Sequence, residues 1–410
     1  MSRNGSSVVF LSAVPETDEM VKMGGFSQAG NLACLGIAEA LYASGIGLEE
    51  VYGFVPLATY PRDRRLFWKG RTVELFPGVR DELFTVVNIF PFRNWVRYLS
   101  VMIAAIRWSV KNLMRKRVFV VYNIFFPHVL FMRVLTWLLH VKLVVVVFEI
   151  GTVKGFERSI WHRLMRPNWL KHLGERSLGI LDGRILITDA IARDFAKGKH
   201  YLRIDGGITK NVVSRLPELT VARHGEFRMM FAGGLSAWNG IPLMLEYMKN
   251  NEDPSLRLWI AGGGELAQEV ENAAAKDSRI EYKGMLPHSE LFKLYANADA
   301  LLNLRDDSDP VMQYHYPSKF LEMLVVGKPV IATDVAHTRE AYGEHCFVMD
   351  GFSLEAFAAQ VERIRGMSPE ERCEFGRATR EWMLANKTWK AQATLIGSYI
   401  EKHVLKVNEK

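Results

Sequence analysis

A chain of 410 residues, 49% hydrophobic and 24% charged, is too long for one ordinary core and too apolar for a disordered polymer, so two globular domains are expected. Its net charge of +7 favours anionic partners: nucleotide phosphates, acidic lipids or nucleic acid. Cys34, Cys346 and Cys373 are too few and too far apart for a disulfide framework or a zinc site, which predicts a reducing compartment.

The N-terminus runs directly into a strand at Val8–Leu11, an apolar stretch too short for a signal peptide. Gly24-Gly25-Phe26-Ser27 follows, then a helical pattern from Gln28 to Ser44. Further strands are predicted at Val118–Ile124, Leu143–Phe148 and Gly183–Ile187. Their alternation with amphipathic stretches implies a parallel sheet covered on both faces. Leu130 to Ile150 is the most apolar stretch, but Arg133, His140 and Lys142 interrupt it, so it reads as a helix and a strand rather than a membrane span.

The first half also concentrates basic charge. Arg93, Arg97, Arg107, Lys111, Arg115, Lys116 and Arg117 accompany Trp95, Tyr98, Leu99, Met102, Ile103, Ile106 and Val110 at helical spacing, with Trp108 among the cations. That pattern suits a helix lying in an anionic membrane interface, although a core helix with one basic solvent face would look similar. A second basic stretch, Arg158 to His172 with Trp161 and Trp169, points the same way.

The join between domains is expected near Asp205-Gly206-Gly207, before the polar stretch Leu216–Gly225. Beyond it, strands at Arg228–Ala232, Leu256–Ala261, Arg279–Tyr282, Ala300–Asn303 and Val330–Thr333 alternate with helices at Pro242–Lys249, Glu265–Ala275, Ser289–Ala296 and Lys319–Val326. From Ser353 onward the chain reads as helical, with Glu370-Glu371-Arg372 opening one helix and a last one running from about Thr388 to Val404. The expected fold class is α/β, with two tandem doubly wound domains.

The segment Tyr316 to Thr333 carries the clearest chemical signal. Ser318 suits an N-cap, Gly327 suits the residue after the helix, and Pro329 prevents continuation. Lys319 is out of place, since a cation in the first turn opposes the helix dipole unless an anion binds there. Glu322, one turn on, could accept hydrogen bonds from ribose hydroxyls. A surface lysine and a solvated glutamate on an ordinary helix would have the same spacing. Gly233-Gly234 and Gly262-Gly263-Gly264 each follow a predicted strand, where parallel sheets bind ligands and glycine lets backbone approach a phosphate.

Phe231-Ala232-Gly233-Gly234-Leu235, Asn239-Gly240-Ile241, Leu258 to Gly264, Tyr282-Lys283-Gly284, Tyr295 to Ala300 and Pro317 to Thr333 occur in that order. Their order and spacing resemble the GT-B fold glycosyltransferases of family 4, the group 1 glycosyl transferases. The resemblance covers the whole second half and, more loosely, the first half through Gly24-Gly25, Ile187-Thr188-Asp189 and Asp205-Gly206-Gly207. It implies an acceptor-side domain over 1–208, a nucleotide-sugar domain over 209–387 facing it across a cleft, and a helix over 388–410 that crosses back.

The resemblance also implies a retaining hexosyltransferase-like enzyme without metal or resident cofactor, the nucleotide-sugar being a substrate. Donor binding would fall to Gly25, Gly233, Gly234, Gly263, Ser318, Lys319 and Glu322, with Glu149 standing where the family places a carboxylate near the reacting centre. His128 is a weaker candidate for the same region, and Asp307-Ser308-Asp309 reads as a solvated acidic turn rather than a metal motif. The chain departs from the family at Tyr314, which replaces the first of two usual glutamates, and at Gly234 and Asn239, which replace cations that contact the donor diphosphate. Lys319 is expected to supply the charge instead, as in the subset whose loop reads Pro-Ser-Lys. The expected acceptor is lipid-linked or a polysaccharide, with the protein cytoplasmic and peripheral on the inner face of an anionic membrane. A GT-B epimerase or an inactive scaffold are the alternatives. Nucleic acid is not an expected partner, because no RNA-binding or helix-turn-helix signature occurs.

Overall fold

The computed structural model describes residues 5–13, 28–54, 60–61, 63–89, 92–123, 128–148, 176–221, 225–308, 310–316 and 318–407. The chain forms two compact units, one of residues 1–207 with 389–410 and the other of residues 208–388.

In the first unit, β1 (Ser6–Ala13) leads through α1 (Gln28–Ala43) to β2 (Leu48–Phe54). Next come β3 (Phe67–Trp68), β4 (Arg71–Phe76), β5 (Val79–Phe84) and β6 (Val86–Val87), and then α2 (Phe92–Lys111). β7 (Lys116–Tyr122), α3 (His128–Leu138), β8 (Lys142–Val147), β9 (Gly183–Leu186), α4 (Asp189–Phe195) and β10 (Leu202–Arg203) follow. One sheet runs in the order β10-β9-β8-β7-β1-β2-β5-β4, parallel except for the antiparallel edge strand β4. β7 and β8 are buried on both faces, which explains their continuous apolar runs.

The sequence reading places no strand between residues 44 and 118, yet β2 to β6 lie there. Charge hides β5, which reads Val-Arg-Asp-Glu-Leu-Phe, and β4 is an edge strand with no buried residue and three exposed in succession. Gly78, at φ +77°, makes the turn that joins them.

The second unit contains α5 (Lys210–Val213), β11 (Phe227–Ala232), α6 (Ile241–Asn250), β12 (Leu256–Ala261), α7 (Ala267–Lys276) and β13 (Ile280–Tyr282). It continues with α8 (His288–Asn297), β14 (Ala300–Asn303), α9 (Ser318–Val326), β15 (Val330–Ala332), α10 (Thr338–Tyr342) and β16 (Phe347–Val348). Its sheet is wholly parallel, in the order β13-β12-β11-β14-β15-β16. The chain winds outward from β11 to β13, then returns to place β14 on the other side of β11. Between β11 and β14 lies the topological switch point, where an open sheet leaves a crevice at its carboxyl edge.

α11 (Leu354–Arg365) and α12 (Pro369–Asn386) complete the second unit, and Ser368 and Glu371 form a capping box at the start of α12. α13 (Trp389–Tyr399) is part of the first unit. Trp389, 2% exposed, joins its core beside Ile37 and Leu41. Gln392 donates to Gly206 O at 2.7 Å, and Tyr399 OH to His200 O at 3.1 Å.

Candidate functional site

The carboxyl ends of β11 and β14 open onto a cavity of about 130 Å³ in the second unit. Gly233, Gly234 and Asn239 line it after β11, Asn303 to Arg305 after β14, and Lys319 and Met323 from α9. It therefore sits at the switch point, and two cations face it.

The glycines do different jobs. Gly233 and Gly234 line the cavity with backbone alone, and a methyl group on Gly234 would come within 3.3 Å of Asn239 Nδ2. Gly262 is a packing requirement: it has φ +135°, and a methyl group there would lie 1.9 Å from Gly233 O. Gly263 accepts from Leu235 N at 3.0 Å and borders Met285; it is not among the cavity's lining residues. This middle glycine also supports the loop between β11 and α6.

α9 begins on Ser318 itself and presents Lys319 in its first turn. The Ser318 side chain and Pro317 lie outside the described residues. The far end of α9 is firmly held. Arg380 donates to Val325 O at 3.1 Å and Pro217 O at 2.8 Å, and also bonds Val326 O. Gly327 ends the helix at φ +78°, and a methyl group there would meet Gly376 O at 2.9 Å.

Lys319 is solvent-exposed. The surrounding protein desolvates its ammonium and lowers its pKa; Glu322 opposes that shift and Arg305 adds to it. Glu322 is half-buried on α9, outside the cavity lining, and its charge adds to the burial that raises the Tyr295 pKa. Tyr316 precedes this helix, buried and stacked on His337 at 4.7 Å between ring centroids.

Arg305 is the cavity residue that the sequence reading missed. Its backbone N–H donates to Thr333 Oγ1 at 2.9 Å, and its Nη1 donates to Asn239 Oδ1. A signal was available: Arg305 follows β14 by two residues, on a strand that borders the switch point.

Gly25, Glu149, Asp309 and the basic stretch at 158–172 lie outside the described residues, as does the His128 side chain. Asp306 and Ser308 form a local turn, with Ser308 N donating to Asp306 Oδ1 at 3.0 Å. Among the described residues no cluster of His, Cys, Asp or Glu has the makings of a metal site.

The first unit carries a second feature. α2 buries Val101, Ala104, Ala105, Trp108 and Ser109, while Phe92, Trp95, Leu99, Ile103, Ile106 and Val110 face solvent. Trp95 is 72% exposed, and Trp137 on α3 is 66% exposed beside Val134 and Leu138. Tyr98 packs on Phe131 at 4.8 Å, joining the two helices. Trp108 corrects the reading that placed it with the interfacial aromatics. It is fully buried, donates to Ser7 Oγ at 3.1 Å and meets Phe119 edge-on, because it shares a helix face with Val101 and Ala105. Not every cation is available either: Arg107 pairs with Glu82 and Arg115 with Glu49. Even so, residues 83–148 contain no aspartate or glutamate. Among the described residues no helix is long and apolar enough to cross a membrane.

Residues 226–365 match the family model of the glycosyl transferases group 1. No curated protein sequence matches the chain. Solved structures resemble it nearly end to end. Sucrose-phosphate synthase from Thermosynechococcus elongatus superposes with a TM-score of 0.62 at 16% identity, over 98% of this chain and 100% of its own. Anabaena HepE, solved with UDP, gives 0.61 at 13% identity over 95% and 98%. WaaG, a glycosyltransferase involved in lipopolysaccharide biosynthesis, gives 0.57 at 15% identity over 95% and 98%. The chain therefore has the GT-B fold, and its residues 226–365 are similar to the glycosyl transferases group 1.

Proposed function

We propose that the protein transfers a sugar, with retention, from a nucleotide-sugar donor to a lipid-linked or polysaccharide acceptor at an anionic membrane surface. The observation that carries the donor half is the pairing of Lys319 with a glycine-lined cavity at the switch point of the second unit. A diphosphate lying there would meet bare backbone at Gly233-Gly234 and the Lys319 ammonium at the start of α9. That charge stabilises the departing nucleoside diphosphate as the glycosidic bond breaks. HepE, which shares the fold, was solved in complex with UDP, and that supports a nucleotide as ligand.

The acceptor half rests on the first unit. The exposed apolar rows of α2 and α3, in an acid-free stretch, suit a helix pair lying on anionic lipid from the cytoplasmic side. Glu149, two residues beyond β8, is our candidate to take the acceptor's proton, and Gly25 and Ser318 are candidates for further donor contacts. Glu322 is assigned to the ribose. No metal or resident cofactor enters this scheme.

Incubation with UDP-, GDP- and dTDP-sugars and lipid extract tests it. Acceptor-dependent release of one nucleoside diphosphate supports transfer. Release or epimerisation without any acceptor supports the epimerase reading, and absence of turnover with every donor supports a scaffold.

A further inference from the structure

The Arg305 guanidinium is held in place by a neutral partner. Its Nη1 bonds Asn239 Oδ1, and Asn239, 6% exposed, in turn donates Nδ2 to Gly234 O at 2.6 Å. Asp306 N donates to Trp238 O at 2.8 Å, tying the same two loops together by backbone. Arg305 is half-buried; among the described residues no carboxylate pairs with it, and desolvation lowers its pKa. Two other arginines are matched more fully: Arg372 faces Asp299 at 3.3 Å, and Arg184 donates to the carbonyls of Leu178, Gly179 and Leu181.

A desolvated guanidinium without a counter-charge is costly, and a bound anion removes that cost. One amide carbonyl occupies one of its five N–H donors and cancels none of its charge. An aspartate at 239 would orient Arg305 equally well and neutralise it. Asparagine orients it and leaves the charge for something else in the cavity, which Lys319 also lines.

We propose that Arg305 binds the diphosphate of the donor, with Asn239 as its positioning residue. The proposal rests on the donor-site reading of this cavity. Gly234 contributes by having no side chain between Asn239 and the ligand space. Arg305 and Lys319 then approach the diphosphate from the ends of β14 and α9, on two separate elements.

Binding calorimetry with UDP, GDP, dTDP, the matching nucleosides and inorganic pyrophosphate tests this on the full chain. Arg305→Gln keeps a donor for Asn239 and removes the charge. Asn239→Asp keeps the orientation and supplies a counter-charge. Each should weaken the diphosphate that binds the wild type by about 10- to 100-fold and flatten its salt dependence, while the matching nucleoside changes less than twofold. A general loosening of the loop would weaken nucleoside and diphosphate alike, and that outcome overturns the proposal, as does unchanged diphosphate affinity in both variants. Loss in Arg305→Gln with wild-type affinity in Asn239→Asp would overturn the role of Asn239. If the wild type binds no nucleoside diphosphate at all, the donor-site reading fails first. Thermal unfolding of each variant, compared with the wild type, identifies any that does not fold; pyrophosphate binding by the remaining variant then decides.

Discussion

The Trp389 indole lies so close to Gly36 that a methyl group on that glycine would sit 1.9 Å from its ring nitrogen. Gly36 lies within α1, where glycine costs roughly 1 kcal/mol of helix propensity relative to alanine. The contact explains why it is there. A methyl group on Gly207 would likewise lie 2.5 Å from the same indole. Both glycines are shaped around one side chain from the chain's last helix.

Gly36→Ala should accordingly destabilise the first unit despite its better helix propensity, by about 1–3 kcal/mol of overpacking. Trp389→Ala should cost about 3–5 kcal/mol by leaving a cavity. Chemical unfolding checks both. If Gly36→Ala raised the midpoint, helix propensity would outweigh the contact, and the packing account of Trp389 would be wrong.

Asp81 gives a pH-dependent prediction. It is fully buried on β5, neither carboxylate oxygen has a hydrogen-bond partner among the described residues, and burial raises its pKa to about 7, with Arg71 opposing. The unfolded value is near 3.9. Below that, both states are protonated and no penalty exists. As pH rises toward 7 the unfolded chain releases its proton while the folded chain retains it, so stability falls across that window and then levels off. Asp81→Asn should therefore gain on the order of 2–4 kcal/mol over wild type at pH 8 and little at pH 4. Native-state hydrogen exchange on β5 amides at the two pH values measures this; a gain that is the same at both would contradict it.

Much of the second unit was legible in its sequence because its sheet is buried on both faces and its turns carry glycine. β11, β12 and β14 are short, nearly pure apolar runs, and each declares itself. The first unit was harder. Asp81 and Glu50 are buried in strands whose neighbours are also charged, so no alternation survives to be read. Within the candidate site, Lys319 stood out because a cation at a helix start is electrostatically odd. Arg305 did not, because its meaning depends on β14 being inserted next to β11, a topological fact that local pattern does not carry.

The exposed rows of α2 and α3 predict lipid binding that depends on both apolar contact and charge. Trp95→Ser with Trp137→Ser should lower flotation with anionic liposomes by at least about tenfold, since each buried aromatic contributes roughly 1.5–3 kcal/mol. Raising salt from about 0.1 to 1 M, which shrinks the screening length from roughly 10 to 3 Å, should also weaken binding. Zwitterionic liposomes that bound equally well would remove the electrostatic part. Retention by the double variant would remove the apolar part.

Lys319 and Glu322 share a helix face, and their roles separate by ligand. Lys319→Ala should weaken a nucleoside diphosphate by about 10- to 100-fold and leave the matching nucleoside nearly unchanged, because only the phosphates carry charge toward it. Glu322→Gln should weaken both nucleoside and diphosphate by a smaller, equal factor, because a ribose contact is common to the two. The 2′,3′-dideoxynucleoside diphosphate provides the control: if Glu322 accepts from ribose hydroxyls, the wild type should bind this analogue about as weakly as Glu322→Gln binds the parent, and the substitution should add nothing further. An additive loss would place Glu322 elsewhere, with Tyr295, whose hydroxyl already experiences its charge, as the nearest alternative partner.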